Sequence, residues 1–157
     1  MKLVIMRHGQ AEALSEPDEA RALTVFGKQQ VSEASKWLKE QLGEDGLIDL
    51  ALVSPYLRAQ ETYQELSLVV NVTEKANSSD ITPDGNSKLF HDYLDALVSQ
   101  SQSLNTVLVV SHMPFVCYFL EEINRNKKSI LFDTSSIVII DYDVSDGQGE
   151  FTKTFHP

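Results

Sequence analysis

One cysteine, Cys117, leaves no internal disulfide available. It stands in the apolar stretch Phe115-Val116-Cys117-Tyr118-Phe119, where a small buried hydrophobe is the expected role. Basic residues are scarce: 13 Lys and Arg face 23 Asp and Glu, for a net charge of −10. That excludes the broad basic face of a general nucleic-acid binder, although an acidic protein can still hold a local basic pocket. Long apolar runs are missing as well. No stretch approaches the roughly 20 apolar residues of a membrane span, and the run after Lys2 is four residues long before Arg7 interrupts it. Such a run is too short for the core of a secretory signal. The expectation is a cytoplasmic protein that engages neither membrane nor nucleic acid. Glycine is sparse, and Gly9 stands alone after the first apolar run, so there is no phosphate-binding P-loop. No H-x-H or H-E-x-x-H spacing occurs, and no G-x-S-x-G elbow. Neither a metal nor another cofactor is expected.

What is present is a repeated local pattern. At 157 residues the chain has the length of a single domain, expected over 1–157. Strand-like runs alternate with helical periodicity, which predicts a single-domain, three-layer α/β/α fold with a mainly parallel sheet and helices on both faces. Leu3 to Met6 form the first strand, and residues 9–22 a loop. Thr24 is placed to cap a helix reaching about Leu42, with Val31, Ala34, Leu38 and Leu42 on one face and Gly43 as its stop. A second strand covers roughly 49–53. Ser54 and Pro55 then read as cap and first residue of a helix carrying Tyr56, Ala59, Tyr63 and Leu66 inward. Val69 to Val72 are a candidate short strand, with loop over Asn77 to Asp80. A helix from near Pro83 presents Leu89, Tyr93 and Leu97, with Phe90 and Leu94 widening the stripe. Residues 106–110 are a buried strand, and Pro114 opens a helix with Val116, Phe119, Leu120 and Ile123 inward. Ile137–Ile140 and Phe151–Phe155 flank Asp146-Gly147-Gln148-Gly149 and predict a C-terminal antiparallel strand pair.

Three of these strands end on chemistry. The first runs into Arg7-His8, the second into Ser54-Pro55-Tyr56-Leu57-Arg58, and the strand at 106–110 into Ser111-His112. In open α/β sheets, ligands bind beyond the carboxyl ends of the strands. Arg58 lies in the first turn of its helix, and helical side chains lean toward the N-terminus, so its guanidinium can reach back to the strand tips. An arginine fork there suits a phosphate. The competing role for Arg58 is a surface pair with Glu61 or Glu65. Nearby positive charge keeps an imidazole neutral, and a neutral imidazole is a nucleophile toward phosphorus. The second histidine then stabilises the transferring group by hydrogen bonding. Zinc coordination by His8, His112 and Asp80 is the rival use, disfavoured because Arg7 would repel a cation.

Five segments in order resemble the histidine phosphatase superfamily, also called phosphoglycerate mutase-like. They are Leu3-Val4-Ile5-Met6-Arg7-His8-Gly9-Gln10-Ala11, Arg21-Ala22-Leu23-Thr24-Val25-Phe26-Gly27, Ser54-Pro55-Tyr56-Leu57-Arg58-Ala59-Gln60-Glu61-Thr62, Val109-Val110-Ser111-His112 and Phe132-Asp133-Thr134-Ser135-Ser136-Ile137. The last of these and the short chain resemble the small SixA-type phosphohistidine phosphatases. The resemblance implies a catalytic set of His8, His112, Arg7 and Arg58. His8 would be the residue transiently phosphorylated. Arg7, Arg58, His112 and Arg21 would bind the phosphoryl group, with no metal. Asp80 is the nearest candidate for a general acid, with Asp84 second; the alternative for Asp80 is a solvated loop carboxylate. Gln10 departs from the acidic residue expected at its place. A histidine leaving group has a conjugate-acid pKa of about 6.5 and departs readily, so a poor general acid favours phosphohistidine over phosphoesters.

The function expected is metal-independent hydrolysis of phosphohistidine in phosphorelay or phosphotransfer proteins, with a phosphohistidine-bearing protein as partner. Two alternatives stay open: a phosphatase or mutase acting on small phosphoesters, and a phosphate-recognition module without turnover. A monomer is the default expectation.

Overall fold

The computed structural model describes residues 1–101 and 103–157. One sheet of six strands organises it, in the order β3-β2-β4-β1-β5-β6. The strands are β1 (Lys2–Arg7), β2 (Leu47–Val53), β3 (Asn71–Asn77), β4 (Thr106–Ser111), β5 (Ile137–Asp143) and β6 (Gln148–Phe155). The helices are α1 (Val25–Leu42), α2 (Leu57–Ser67), α3 (Ser87–Gln100) and α4 (Phe115–Ile123). β1, β2, β3 and β4 are mutually parallel, while β5 runs antiparallel to both β1 and β6. The mainly parallel sheet with a C-terminal antiparallel pair is the architecture expected.

Side-chain alternation along the central strands divides the core into two layers. Leu3 and Ile5 of β1, with Val107 and Val109 of β4, pack with Phe90, Leu94, Phe115 and Phe119 of α3 and α4. Val4 and Met6, with Leu108 and Val110, pack with Val31, Ala34 and Leu38 of α1 and Ala59 and Leu66 of α2. The chain thus leaves β1 toward one face of the sheet and β4 toward the other. Adjacent strands whose connections diverge in this way open a crevice at their carboxyl ends. His8 and His112 stand there.

Several boundaries differ from the sequence reading, each for a physical reason. β3 is Asn71–Asn77, not Val69–Val72. It is an edge strand whose partner among the described residues is β2, and most of its side chains are exposed, so it carries no apolar signature. Its place is set by pairing from Leu47↔Asn71 to Val53↔Asn77. α3 begins at Ser87 and is capped by Asn86, whose side chain accepts from the N–H groups of Lys88 and Leu89. Its buried face is Phe90, His91, Leu94 and Val98, while Leu89 and Tyr93 are exposed. The broad apolar stripe left its rotation undetermined, and α4 selects the face that packs. α2 starts at Leu57 with Tyr56 at the cap position and no side-chain cap bond. Ser54 does not cap it directly, because its hydroxyl is engaged elsewhere. Pro114 is likewise the cap of α4 rather than its first residue. Cys117 is half-buried, with its thiol 3.4 Å from the Ile130 carbonyl oxygen. No helix among the described residues is long and apolar enough to cross a membrane.

The start of α1 is pressed onto the loop leaving β1. Thr24 caps the helix by accepting from the Gly27 N–H at 2.9 Å, as its position implied. A Cβ on Gly9 would lie 2.7 Å from the Gly27 carbonyl oxygen, and a Cβ on Gly27 would overlap the carbonyl of Gln10. Backbone has no soft way to yield there. Gly27→Ala should therefore destabilise the protein by about 1–3 kcal/mol, read as a lower urea midpoint. Glu33→Ala, at an exposed position of the same helix, should change it little. Equal midpoints for the two variants would contradict this close packing.

Candidate functional site

Register builds the site. β1 pairs with β4 from Lys2↔Thr106 to Arg7↔Ser111, and β2 pairs with β4 up to Val53↔Val110. The ladder continues one step beyond the strands: the His8 N–H donates to the Ser111 carbonyl and the Ser54 N–H to the Val110 carbonyl, both at 3.0 Å. Ser54, His8 and His112 are thereby level at three neighbouring strand tips. The imidazole centroids of His8 and His112 are 5.0 Å apart. They line a cavity of about 440 Å³ together with Arg7, Arg21 and Arg58.

The segment after β2 supplies much of the scaffolding. Thr62 accepts the Gly9 N–H at 3.0 Å and donates to the Arg58 carbonyl at 2.6 Å, tying α2 to the β1 tip. Glu61 accepts the Leu23 N–H at 2.6 Å. Gln60 donates to the Ser54 carbonyl at 2.6 Å. Glu61 and Glu65 are therefore not the partners of Arg58. The segment Phe132–Ser136 closes over the same tip: the Ser135 N–H donates to the His8 carbonyl and the Arg7 N–H to the Ser136 carbonyl.

Arg58 is 3% exposed, and every arm of its guanidinium is directed. Nε donates to His8 Nε2 at 3.3 Å, Nη1 to the Asp18 carbonyl at 2.8 Å and Nη2 to Asp18 Oδ2 at 3.0 Å. The Tyr56 ring lies 5.0 Å from its central carbon. Arg7 Nη1 donates to the Phe132 carbonyl at 2.7 Å, while its buried Nε has no partner among the described residues. Arg21 also reaches the cavity, anchored by Asp18 at 2.7 Å and by the Glu12 carbonyl at 2.9 Å.

Asp18 is the residue that sequence reasoning missed. Its carboxylate lies between Arg58 and Arg21. Burial pushes its carboxyl up, but the hydrogen bonds from the two arginines outweigh this and hold it below the usual range. Its spacing three residues before Arg21 was a signal, although nothing local connected it to Arg58, forty positions on. Asp80, by contrast, is exposed on a short 3-10 turn (Ser79–Ile81) and is not among the residues lining the cavity. Asp84 is exposed too. Gln10 lines the cavity, with its side-chain oxygen accepting from the Thr24 hydroxyl at 2.9 Å.

The tautomer of His8 follows from its neighbours. Nδ1 lies 2.7 Å from the Gly9 carbonyl oxygen, which can only accept, so Nδ1 carries the proton. Nε2 receives a bond from Arg58 and so holds a lone pair. Burial lowers the His8 pKa to about 3; the Gly9 carbonyl opposes this, and Arg58, Arg7 and Arg21 add to it. Burial, then His8 and the same arginines, lower that of His112 to about 2. Both rings are neutral at physiological pH. The site combines a neutral imidazole with a fixed tautomer, a second imidazole at 5.0 Å and fixed cations, a set able to support phosphoryl transfer.

Known proteins agree in sequence and shape. Residues 3–79 match the model of the histidine phosphatase superfamily (branch 1). The chain is 36% identical over 149 residues to the phosphohistidine phosphatase SixA homolog of Haemophilus influenzae, covering 91% of this chain and 89% of that protein. It is 35% identical over 158 residues to phosphohistidine phosphatase SixA of Escherichia coli, covering 100% and 94%. The solved structure of the protein histidine phosphatase SixA complexed with tungstate superposes with a TM-score of 0.90 at 35% identity, covering 100% of this chain and 97% of that one.

Neutral burial of two histidines makes stability depend on acid. Unfolded chains protonate these rings below about pH 6.5, whereas the folded chain holds His8 neutral to about pH 3 and His112 to about pH 2. Their contribution is complete above about pH 6.5 and is lost as the pH falls below it, by about 1.4 kcal/mol per pH unit per ring. The Tm of the wild-type protein should therefore fall between pH 6.5 and pH 5 more steeply than that of a His8→Asn/His112→Asn double variant. Parallel slopes for the two proteins would contradict neutral burial.

Proposed function

The chain belongs to the histidine phosphatase superfamily, among its SixA-type members, and we propose that it hydrolyses phosphohistidine on other proteins through a phospho-His8 intermediate. One observation carries the reading: His8 Nε2 is a lone pair held in the cavity, with Nδ1–H fixed on the Gly9 carbonyl and Arg58 directed at the reacting nitrogen. The related SixA structure is a complex with tungstate, a tetrahedral oxyanion as phosphate is, which supports a phosphoryl substrate for this chain.

Two displacements at phosphorus complete a turnover. In the first, the Arg58 Nε–H passes from His8 Nε2 to a phosphoryl oxygen, and the freed Nε2 lone pair forms a bond to phosphorus as the bond to the substrate histidine breaks. The substrate ring, protonated by solvent on its distal nitrogen, departs as neutral imidazole. No proton has to reach the departing nitrogen. His8 becomes a phosphoimidazolium whose Nδ1–H remains on the Gly9 carbonyl, so the developing positive charge is met by a fixed dipole. In the second, water attacks phosphorus and His8 leaves as neutral imidazole in its original tautomer. The protons of that water remain on the dihydrogen phosphate released. Arg7, Arg58 and Arg21 balance the phosphoryl charge throughout. Neither step requires Asp80.

This accounting favours phosphohistidine over phosphoesters, whose alkoxide leaving groups need a proton at the moment of departure. We assign the substrates to phosphorelay or phosphotransfer proteins, and the protein to the cytoplasm where such proteins act.

The test compares phosphate release from a phosphohistidine carrier protein and from a simple phosphoester, each with and without chelator. The wild-type protein should prefer the carrier by at least tenfold in kcat/KM and be indifferent to chelator. His8→Ala should lose at least about 10³-fold of turnover while remaining folded. A phosphoenzyme should be trapped in the wild type alone. Robust release by His8→Ala, or preference for the phosphoester, would refute the proposal.

A further inference from the structure

The second imidazole is held by a residue outside the catalytic set. His112 Nε2 lies 2.7 Å from the Ser54 hydroxyl oxygen, and both residues are buried, at 1% and 0% exposure. A histidine–hydroxyl contact can run in either direction, so the proton has to be located by counting. The Ser54 hydroxyl accepts from the Tyr56 N–H at 3.4 Å. It has one proton to donate, and among the described residues His112 Nε2 is the acceptor it meets. If His112 donated instead, a fully buried hydroxyl proton would have no acceptor, at a cost of roughly 1–3 kcal/mol. The economical arrangement is Ser54 O–H donating to Nε2. His112 is neutral, so its own proton then sits on Nδ1. That atom is buried and has no partner among the described residues. An orphaned donor on a cavity-lining residue calls for a ligand acceptor.

We propose that Ser54 is a positioning residue that fixes His112 as its Nδ1–H tautomer, making His112 a hydrogen-bond donor to a phosphoryl oxygen rather than a base. The assignment rests on the phosphohistidine phosphatase reading above and specifies the state of its second histidine. The two rings at the site then play complementary parts. Both carry the proton on Nδ1, but His8 spends that proton on the Gly9 carbonyl and offers Nε2 to phosphorus. His112 spends Nε2 on Ser54 and offers its proton to the transferring group. The opposite tautomer would turn a lone pair toward the phosphoryl oxygens and repel them. Strand register makes this possible, because Ser54 follows β2 directly and stands beside β4, where Val53 pairs with Val110.

The experiment uses the full chain labelled with nitrogen-15 in its histidine rings. In the wild type, His112 should show a pyrrole-type Nδ1 and a pyridine-type Nε2. In Ser54→Ala the two tautomers should interchange, and kcat on a phosphohistidine carrier protein should fall about tenfold while KM stays within about twofold. Ser54→Thr, which restores the hydroxyl, should recover the tautomer and most of kcat. A protonated Nε2 in the wild type overturns the proposal, and this measurement stands even where Ser54→Ala does not fold. So does a Ser54→Ala protein that keeps the wild-type tautomer, whether its activity is retained or lost. Failure of the underlying reading is separately visible: the wild-type protein would then release no phosphate from the carrier, whatever tautomer His112 shows.

Discussion

Parallel pairing of β1 with β4 sets the distance between the two imidazoles, and the site exists because of it. Both strands are buried on both faces, so the apolar pattern alone does not resist a slip of one residue. The ends of the ladder do. Lys2 N–H meets the Asn105 carbonyl at one end and His8 N–H meets the Ser111 carbonyl at the other. A slip would break both and would exchange the side chains facing the two helical layers. The volume of each layer, filled by Phe90, Phe115 and Phe119 on one side and by Val31, Ala34 and Leu38 on the other, adds to the constraint.

Charge at the site is arranged by neighbours rather than by overall composition. The protein is acidic as a whole, yet three arginines line one cavity. Each is held before any anion arrives. Asp18 and Tyr56 fix Arg58, Asp18 and Glu12 fix Arg21, and the Phe132 carbonyl fixes Arg7. Little rotamer freedom remains to be lost on binding, and the donors are already oriented when charge moves in the transition state. Asp18 also offsets the cationic field in the free protein. The two histidines are kept neutral mainly by burial, which ordered tautomers turn to use. An imidazolium at position 8 would have no lone pair to accept from Arg58.

Much of this was legible in the residues. The strand–helix alternation, the residues that follow the strands and the five ordered segments led directly to His8, His112, Arg7 and Arg58, and the cavity gathers all four. The parts that were not legible are those without a local pattern. β3 is an exposed edge strand and shows no periodicity. The inward face of α3 was ambiguous because its apolar stripe was broad, and buried His91 is no part of that stripe. Asp18 reaches Arg58 across forty positions, a contact no window of sequence contains. Ser54 was read as a helix cap because its spacing to Pro55 suited one. Packing gave its hydroxyl to His112 instead.

By itself the sequence determined which side chains stand at the ends of strands and which helices follow them, since these depend on propensities and spacings within a few residues. Tertiary structure alone decided how those ends are levelled against one another, which carboxylate meets the arginines and which ring nitrogen bears each proton. Those outcomes depend on donors and acceptors brought within about 3 Å from distant parts of the chain, a scale at which hydrogen bonding is decided.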